Sequence, residues 1–169
     1  MGFSLGGLLC FAYHKHLRER INSLVVVASH PYRLDAPGEA EFLRDLNEAL
    51  EQGMEAMVAR SEAGLGARLP EDRRQLLLRN DHLALIAQQQ HVDAPINLSG
   101  LDVGLDQTDV PIFLTIGTDD FLYQRAKKSS GIIKGVDYLE IDGYAHGGFL
   151  GGASDQIYPR LTTFLTRHN

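Results

Sequence analysis

The sequence is poor in the features that mark secreted, membrane-spanning or nucleic-acid-binding proteins. Its single cysteine, Cys10, cannot form an intramolecular disulfide, so nothing ties the chain to an oxidising compartment. No apolar run approaches the roughly 18 residues that a membrane helix needs. The net charge of −6 argues against nucleic acid or an anionic membrane as a partner, because both attract basic surfaces. We therefore expect a cytoplasmic protein that binds no nucleic acid and no membrane.

Signatures of metal and cofactor sites are also missing. The His, Cys, Asp and Glu residues do not occur at the spacings of metal ligands, so we expect no metal. The glycine pairs near the C-terminus lack the lysine and the Ser/Thr of a phosphate-binding loop. The sequence therefore predicts no cofactor.

Apolar runs and their spacing predict an α/β protein. The 169 residues fit one domain, which at this length buries roughly 70% of the surface of its unfolded chain. Three short apolar runs predict parallel strands near 24–28, 110–116 and 136–141. The first two are nearly continuous, as expected for strands covered on both faces. The third alternates with polar residues, which favours a place nearer an edge of the sheet.

Helical patterns separate the predicted strands. The first two predicted helices are 5–20, which carries Leu9 on its apolar stripe, and 39–60. A third begins at Pro70, and a fourth, 82–90, is capped by Asp81. A closing helix has Pro159 in its first turn. Strands that alternate with helices favour the α/β class. Residues 36–92 contain helices but no convincing strand, so we interpret them as a helical insertion or cap within a single domain 1–169.

The first seven residues contain a Gly-x-Ser-x-Gly pattern, Gly2-Phe3-Ser4-Leu5-Gly6, followed by Gly7. A nucleophilic serine must project from a sharp turn between a strand and a helix, and the flanking glycines remove side chains that would clash there. Gly7 would let the helix approach the sheet closely. The N–H of Leu5 would point toward the oxyanion that forms when Ser4 attacks a carbonyl.

Partners for the serine lie near the other end of the chain. His146 follows the third predicted strand in Gly143-Tyr144-Ala145-His146, and Asp119 and Asp120 follow the second. Because the carboxyl ends of parallel strands meet at one edge of the sheet, these side chains are expected there with ligands. His146 would remove the proton of the Ser4 hydroxyl, which is a poor nucleophile alone. One of the aspartates would hold the imidazole in the required tautomer.

In these motifs and in their order, serine then acid then histidine, the sequence resembles the α/β-hydrolase superfamily. The resemblance runs from Gly2 to the closing helix. It favours Asp120 over Asp119, because the acid of similar hydrolases commonly falls three residues after the glycine that ends its strand. It implies a serine hydrolase with the triad Ser4, Asp120 and His146, acting on a small-molecule ester, thioester or amide.

The remaining histidines and Cys10 have simpler expected roles. His30 follows the first predicted strand, so it lies at the expected active-site edge and, with Phe3, is a candidate to line the pocket. A loop histidine without a role is the alternative. The sequence places His14, His16 and His168 among charged residues, which predicts that water surrounds them. Cys10 is predicted to be a small buried packing residue.

The resemblance also implies an incomplete α/β-hydrolase fold that starts at the nucleophile elbow. Similar enzymes have a central strand before the elbow, for which Met1 leaves no room, and an earlier loop that donates a second oxyanion N–H. We therefore expect a part of a longer protein, largely inactive alone, with an uncovered apolar sheet edge through which it self-associates. The alternative function is a non-catalytic fragment or interaction module derived from a hydrolase.

Overall fold

A parallel sheet of four strands organises the fold. The computed structural model describes residues 1–93, 98–146 and 152–168. The strands are β1 (Gly2–Phe3), β2 (Leu24–Val27), β3 (Ile112–Gly117) and β4 (Asp137–Ile141), and they lie side by side in this order. The helices are α1 (Leu5–Leu17), α2 (Pro37–Glu51), α3 (Met54–Leu65), α4 (Glu71–Leu78), α5 (His82–Asp93), α6 (Tyr123–Ser130) and α7 (Ser154–His168), with 3-10 turns at Arg18–Arg20 and Leu105–Gln107. The predicted α/β class is confirmed.

The burial of each strand follows its sequence pattern. Every residue of β2 and β3 is buried, whereas Ile141 is the one buried residue of β4, which lies at the end of the described sheet. This agrees with the edge position that its alternating sequence predicts. The prediction that Met1 leaves no room for a strand before the elbow is wrong, because Gly2 and Phe3 pair in parallel with Val26 and Val27 of β2.

The chain forms two compact units. The first comprises residues 1–33 and 98–169 and contains the sheet, α1, α6 and α7. The rings of Phe113 in β3 and Phe164 in α7 lie 5.6 Å apart, and both side chains are buried. Pro159 lies in the second turn of α7 rather than in its first.

The buried side of α1 differs in part from the predicted stripe. Leu8, Phe11 and Cys10 are buried, the last as predicted, whereas Leu9 is 45% exposed. His14 continues the buried side, so the expectation that water surrounds it is wrong. Its spacing from Cys10 and Phe11 places it one helical turn further along the same face.

The second unit comprises residues 34–97, and the elements described in it are the helices α2 to α5. Leu50 and Val58 are buried in α2 and α3, and the guanidinium of Arg60 lies 4.5 Å from the Phe42 ring. The Arg74–Glu55 ion pair, at 2.7 Å, joins α4 to α3. The predicted insertion 36–92 falls within this unit, and its role as a cap stays a prediction.

One predicted helix, 39–60, is in fact two. The chain leaves α2 after Glu51, and Gly53 has a φ of 97°, a backbone conformation that glycine adopts without a steric penalty. The helix predicted after Pro70 is α4, and that predicted after Asp81 is α5. Asp81 Oδ1 accepts the N–H of Leu83 at 2.9 Å.

In the part of the chain that the structure describes, no helix is long and apolar enough to span a bilayer.

Candidate active site

Ser4 occupies a sharp turn between β1 and α1. Its backbone has φ 53° and ψ −117°, and its N–H donates to the carbonyl oxygen of Val27 at 2.9 Å. A positive φ is uncommon for a residue with a side chain, and such strain persists only where the surroundings over-determine it. Pairing of β1 with β2 on one side and the start of α1 on the other supply that constraint.

Two of the three glycines around Ser4 are required by close contacts. A Cβ on Gly2 would lie 2.0 Å from the carbonyl oxygen of Gly6, and a Cβ on Gly7 would lie 2.5 Å from Cβ of Ser29. Gly7 therefore lets α1 approach the segment that follows β2, as its position predicts. A Cβ on Gly6 would meet nothing within 4 Å, so the predicted clash at this position is wrong.

Three side chains form one continuous hydrogen-bonded chain. Oγ of Ser4 lies 2.9 Å from Nε2 of His146, and Nδ1 of His146 lies 2.8 Å from Oδ2 of Asp120. An ionised carboxylate accepts only, so Nδ1 carries the proton donated to Asp120 and Nε2 accepts from the serine hydroxyl. The Asp120 side chain is 0% exposed and that of His146 is 15% exposed, so water competes little for these bonds.

The aspartate that contacts His146 is Asp120. Its second oxygen, Oδ1, accepts the N–H of Leu122 at 2.9 Å, and its own N–H donates to the carbonyl oxygen of Gly117 at 3.2 Å. Asp119 is held in another way, because its backbone N–H donates to the carbonyl oxygen of Tyr144. The turn at the end of β3 thus presents one carboxylate to the histidine and fixes its orientation.

The segment after β4 carries His146 back over the end of β3. Thr118 binds the end of β4 and the start of this segment: its N–H donates to the carbonyl oxygen of Ile141 at 3.0 Å, and its Oγ1 accepts the N–H of Gly143 at 2.9 Å. Gly117 permits the approach, because a Cβ there would lie 1.9 Å from the carbonyl oxygen of Tyr144. The carboxyl ends of the parallel strands β3 and β4 therefore bring Asp120 and His146 together.

Two phenylalanine rings pack against the imidazole of His146. The ring of Phe3 lies 5.1 Å from it and the ring of Phe121 lies 4.8 Å from it, both in tilted arrangements. Phe3 was predicted to line the pocket, a role that no observation tests. Phe121 was missed, although its position directly after Asp120 is a signal that it shares the surroundings of the acid.

The two other predicted site residues, His30 and Leu5, have structural roles in the backbone around them. His30 is 1% exposed, and its Nδ1 accepts the N–H of Tyr32 at 3.2 Å, so it stabilises the turn around Pro31. Leu5 is the first residue of α1, and the first N–H groups of a helix have no acceptor within it. Its donation to an oxyanion stays a prediction, as does the pocket-lining role of His30.

Within residues 1–93, 98–146 and 152–168, no group of three or more His, Cys, Asp or Glu side chains could hold a metal ion. What the described residues offer is acid–base chemistry on a serine hydroxyl. Such an arrangement generates a nucleophile from groups that the chain itself supplies.

The fold is similar to those of solved hydrolases. A hydrolase from Pseudomonas aeruginosa matches 97% of this chain over 63% of its own, with a TM-score of 0.75 and 19% identity. A carboxylesterase structure from the thaumarchaeon Nitrososphaera gargenis matches 98% of this chain over 63% of its own, with a TM-score of 0.77 and 18% identity. An enol-lactonase from Burkholderia xenovorans matches 98% over 64%, with a TM-score of 0.73 and 20% identity.

The chain therefore spans less than two thirds of the length of each of these proteins. No family model and no curated protein sequence matches it. At such identities the similarity concerns the fold, which agrees with the elbow, the parallel strands and the chain order described above. The chain has the α/β-hydrolase fold.

Proposed function

We propose that this chain carries the catalytic triad of a serine hydrolase, with Ser4 as nucleophile, His146 as general base and Asp120 as the acid that orients it. The observation that carries the proposal is the unbroken pair of hydrogen bonds through both nitrogens of His146, at 2.9 and 2.8 Å. The strained backbone of Ser4 adds support, because strain of this kind collects at active sites. The substrate class is a small-molecule ester, thioester or amide.

In the first half of the reaction, Oγ of Ser4 bonds to the carbonyl carbon while its proton passes to Nε2 of His146. The electron pair of the carbonyl π bond moves to oxygen, where the N–H of Leu5 stabilises the negative charge. When this intermediate collapses, the bond to the leaving group breaks. The leaving alkoxide, thiolate or amine takes the proton from Nε2, and an acyl group stays on Ser4.

In the second half, water replaces the leaving group. His146 removes a proton from water as its oxygen attacks the acyl carbon, and the proton then returns to Oγ of Ser4 as the acid product leaves. Asp120 keeps Nδ1 protonated and stabilises the imidazolium in both halves. Leu5 is the single oxyanion donor assigned in this chain, and removing one such donor typically costs about 10²–10³-fold in kcat. We therefore expect slow turnover by the chain alone.

The first prediction concerns covalent labelling by a fluorophosphonate, which reacts with activated serines and needs no knowledge of the substrate. We expect the purified chain to be labelled at Ser4 and Ser4→Ala to be unlabelled. Asp120→Asn is expected to slow labelling by roughly 10³–10⁴-fold, because it favours the wrong imidazole tautomer. Labelling is measured by intact-protein mass spectrometry.

Two variants serve as matched controls. Ser130→Ala removes a hydroxyl from α6, and Asp119→Asn changes the neighbouring carboxylate, which does not contact His146. Both are expected to label at the wild-type rate. Equal labelling of Ser4→Ala and the wild-type chain would refute the proposal, and a folded chain without any labelling would favour the alternative of a non-catalytic interaction module.

A further inference from the structure

Phe3 and Phe121 are sequence neighbours of Ser4 and Asp120, the two residues that form hydrogen bonds with His146. Phe3 directly precedes Ser4, and its backbone is fixed by pairing with Val27 of β2. Phe121 directly follows Asp120, within the turn in which Asp120 Oδ1 accepts the N–H of Leu122. The backbone that orients the nucleophile and the acid therefore also orients the two rings that contact the base.

The imidazole is joined to the backbone through Cβ, so two torsion angles, χ1 and χ2, set its position. The hydrogen bonds at Nδ1 and Nε2 favour one combination of these angles, but either bond can lengthen as the ring swings away from Ser4 or Asp120. Ring contacts at 5.1 Å and 4.8 Å, tilted by 36° and 50°, oppose that movement. Small errors in the placement of reacting groups lower reaction rates strongly, so a ring held in one orientation favours proton transfer.

The same rings lie where a positive charge develops. His146 becomes an imidazolium when it takes the proton of Ser4, and a cation within about 6 Å of an aromatic centroid is attracted by the ring. Both centroids meet this distance, and the His146 side chain is only 15% exposed, so solvent weakens the attraction little. The carboxylate of Asp120 contacts His146 directly, and it stabilises the same charged form.

We propose that Phe3 and Phe121 are positioning residues of the triad, which hold the His146 imidazole in its reactive orientation and stabilise its protonated form. The proposal rests on the function of His146 proposed above. It assigns to an aromatic pair a task that the sequence motif leaves to the acid alone. Phe121 is the better residue to test, because replacing it leaves the elbow unchanged.

The test measures the rate of fluorophosphonate inactivation from pH 5 to 9 for wild type, Phe121→Leu and Phe121→Tyr. For Phe121→Leu we expect the plateau rate to fall roughly tenfold, because the imidazole can then swing out of its reactive orientation. We expect the midpoint of the profile to move down by roughly half a pH unit or more, because the lost cation–π interaction lies at a largely buried site. Phe121→Tyr keeps the ring and is expected to restore both values.

Two controls separate positioning from folding. Phe42→Leu removes a phenylalanine that contacts Arg60 in the helical unit and is expected to leave plateau and midpoint unchanged. The urea midpoint of each variant reports whether it is folded. An unchanged profile for Phe121→Leu, or an equal change in Phe42→Leu, would overturn the proposal while labelling at Ser4 still supported the hydrolase.

A second readout does not depend on labelling. The NMR titration midpoint of His146 is expected to fall in Phe121→Leu and to recover in Phe121→Tyr. If it does so in a chain that no fluorophosphonate labels, the interaction of the rings with the imidazolium is supported and the hydrolase function fails. A midpoint that is the same in all three proteins overturns the stabilisation of the imidazolium.

Discussion

His14 illustrates how burial changes the behaviour of a single histidine. Its Nε2 lies 2.7 Å from Oγ1 of Thr108, while its Nδ1 is buried without a hydrogen-bond partner among the described residues. Burial lowers the pKa of His14, the positive charge of Arg18 lowers this pKa further, and the negative charge of Asp109 opposes the shift. The fold therefore favours the neutral form of this side chain.

This shift predicts a loss of stability in acid. The pKa of His14 is lower in the folded chain than in the unfolded chain, where a histidine has a pKa of about 6.5. As the pH falls through this value, the unfolded chain therefore binds more protons than the folded chain. The stabilisation is complete above that pH and is lost as pH falls toward the folded pKa. We expect the urea midpoint to decrease from pH 7 to pH 5, and His14→Gln to make this decrease smaller. His16→Gln, at an exposed position of the same helix, should leave the decrease unchanged; the same decrease in His14→Gln would contradict the assignment.

Single residues were predictable where a motif constrained them. Ser4, Asp120 and His146 were selected by motif and chain order, and the fold brings these three side chains into contact. The position of Phe121 after Asp120 places it near the acid, but its contact with His146 also depends on how the segment after β4 crosses the end of β3. His14 was misjudged because its charged neighbours outweighed its helical spacing from Cys10 and Phe11.

At the scale of the elements, α1 approaches the sheet closely at Gly7, and this contact predicts a pair of different mutational effects. A Cβ on Gly7 would lie 2.5 Å from Cβ of Ser29 and 3.2 Å from Cγ1 of Val26, so Gly7→Ala forces α1 away from the sheet. We expect a destabilisation of about 1–3 kcal/mol, as for other overpacked cores. Gly6→Ala adds the same methyl group in open space, and should leave stability unchanged or raise it by up to about 1 kcal/mol. Urea denaturation of both variants measures the difference, and equal effects would show that the packing of α1 tolerates a side chain at Gly7.

Element boundaries were predictable where composition changes sharply. The apolar runs of β2 and β3 are bounded by polar or turn residues, so their predicted and observed ends differ by at most two residues. Helices α2 and α3 were predicted as one, because their apolar spacing continues in phase across Gly53 and conceals the break. The two-residue β1 carries too short a pattern to predict, and its pairing with β2 identifies it.

At the scale of the whole molecule, sequence order explains how distant residues share one site. Each described strand runs in the same direction, so Ser4, Asp120 and His146 follow the carboxyl ends of β1, β3 and β4 at a common edge. The matched proteins are longer, and this chain covers 63–64% of the three compared above. The part that the chain covers contains the residues of the proposed triad.

The β1 edge of the described sheet predicts self-association. β1 lies at the end of the described sheet and pairs with β2 alone, and an edge strand with unpaired backbone groups is a template for pairing with another chain. Beside it, Leu9 and Tyr13 of α1 are 45% and 56% exposed, and they border a groove of about 560 Å³ that extends to Leu24. Two copies could bury this surface against each other, because a two-fold axis brings identical patches together.

We expect the weight-average mass of the chain in sedimentation equilibrium to rise with concentration, and Leu9→Lys to reduce that rise by placing a charge on the shared surface. Leu83→Lys is the matched control, because it makes the same change at a leucine of α5 that is 65% exposed. If Leu83→Lys reduced association equally, the association would be nonspecific. A wild-type chain that stayed monomeric at all concentrations would contradict the prediction. If Leu9→Lys weakens association and Leu83→Lys does not, the interface includes α1 beside the β1 edge, because the two variants differ only in where the charge is placed.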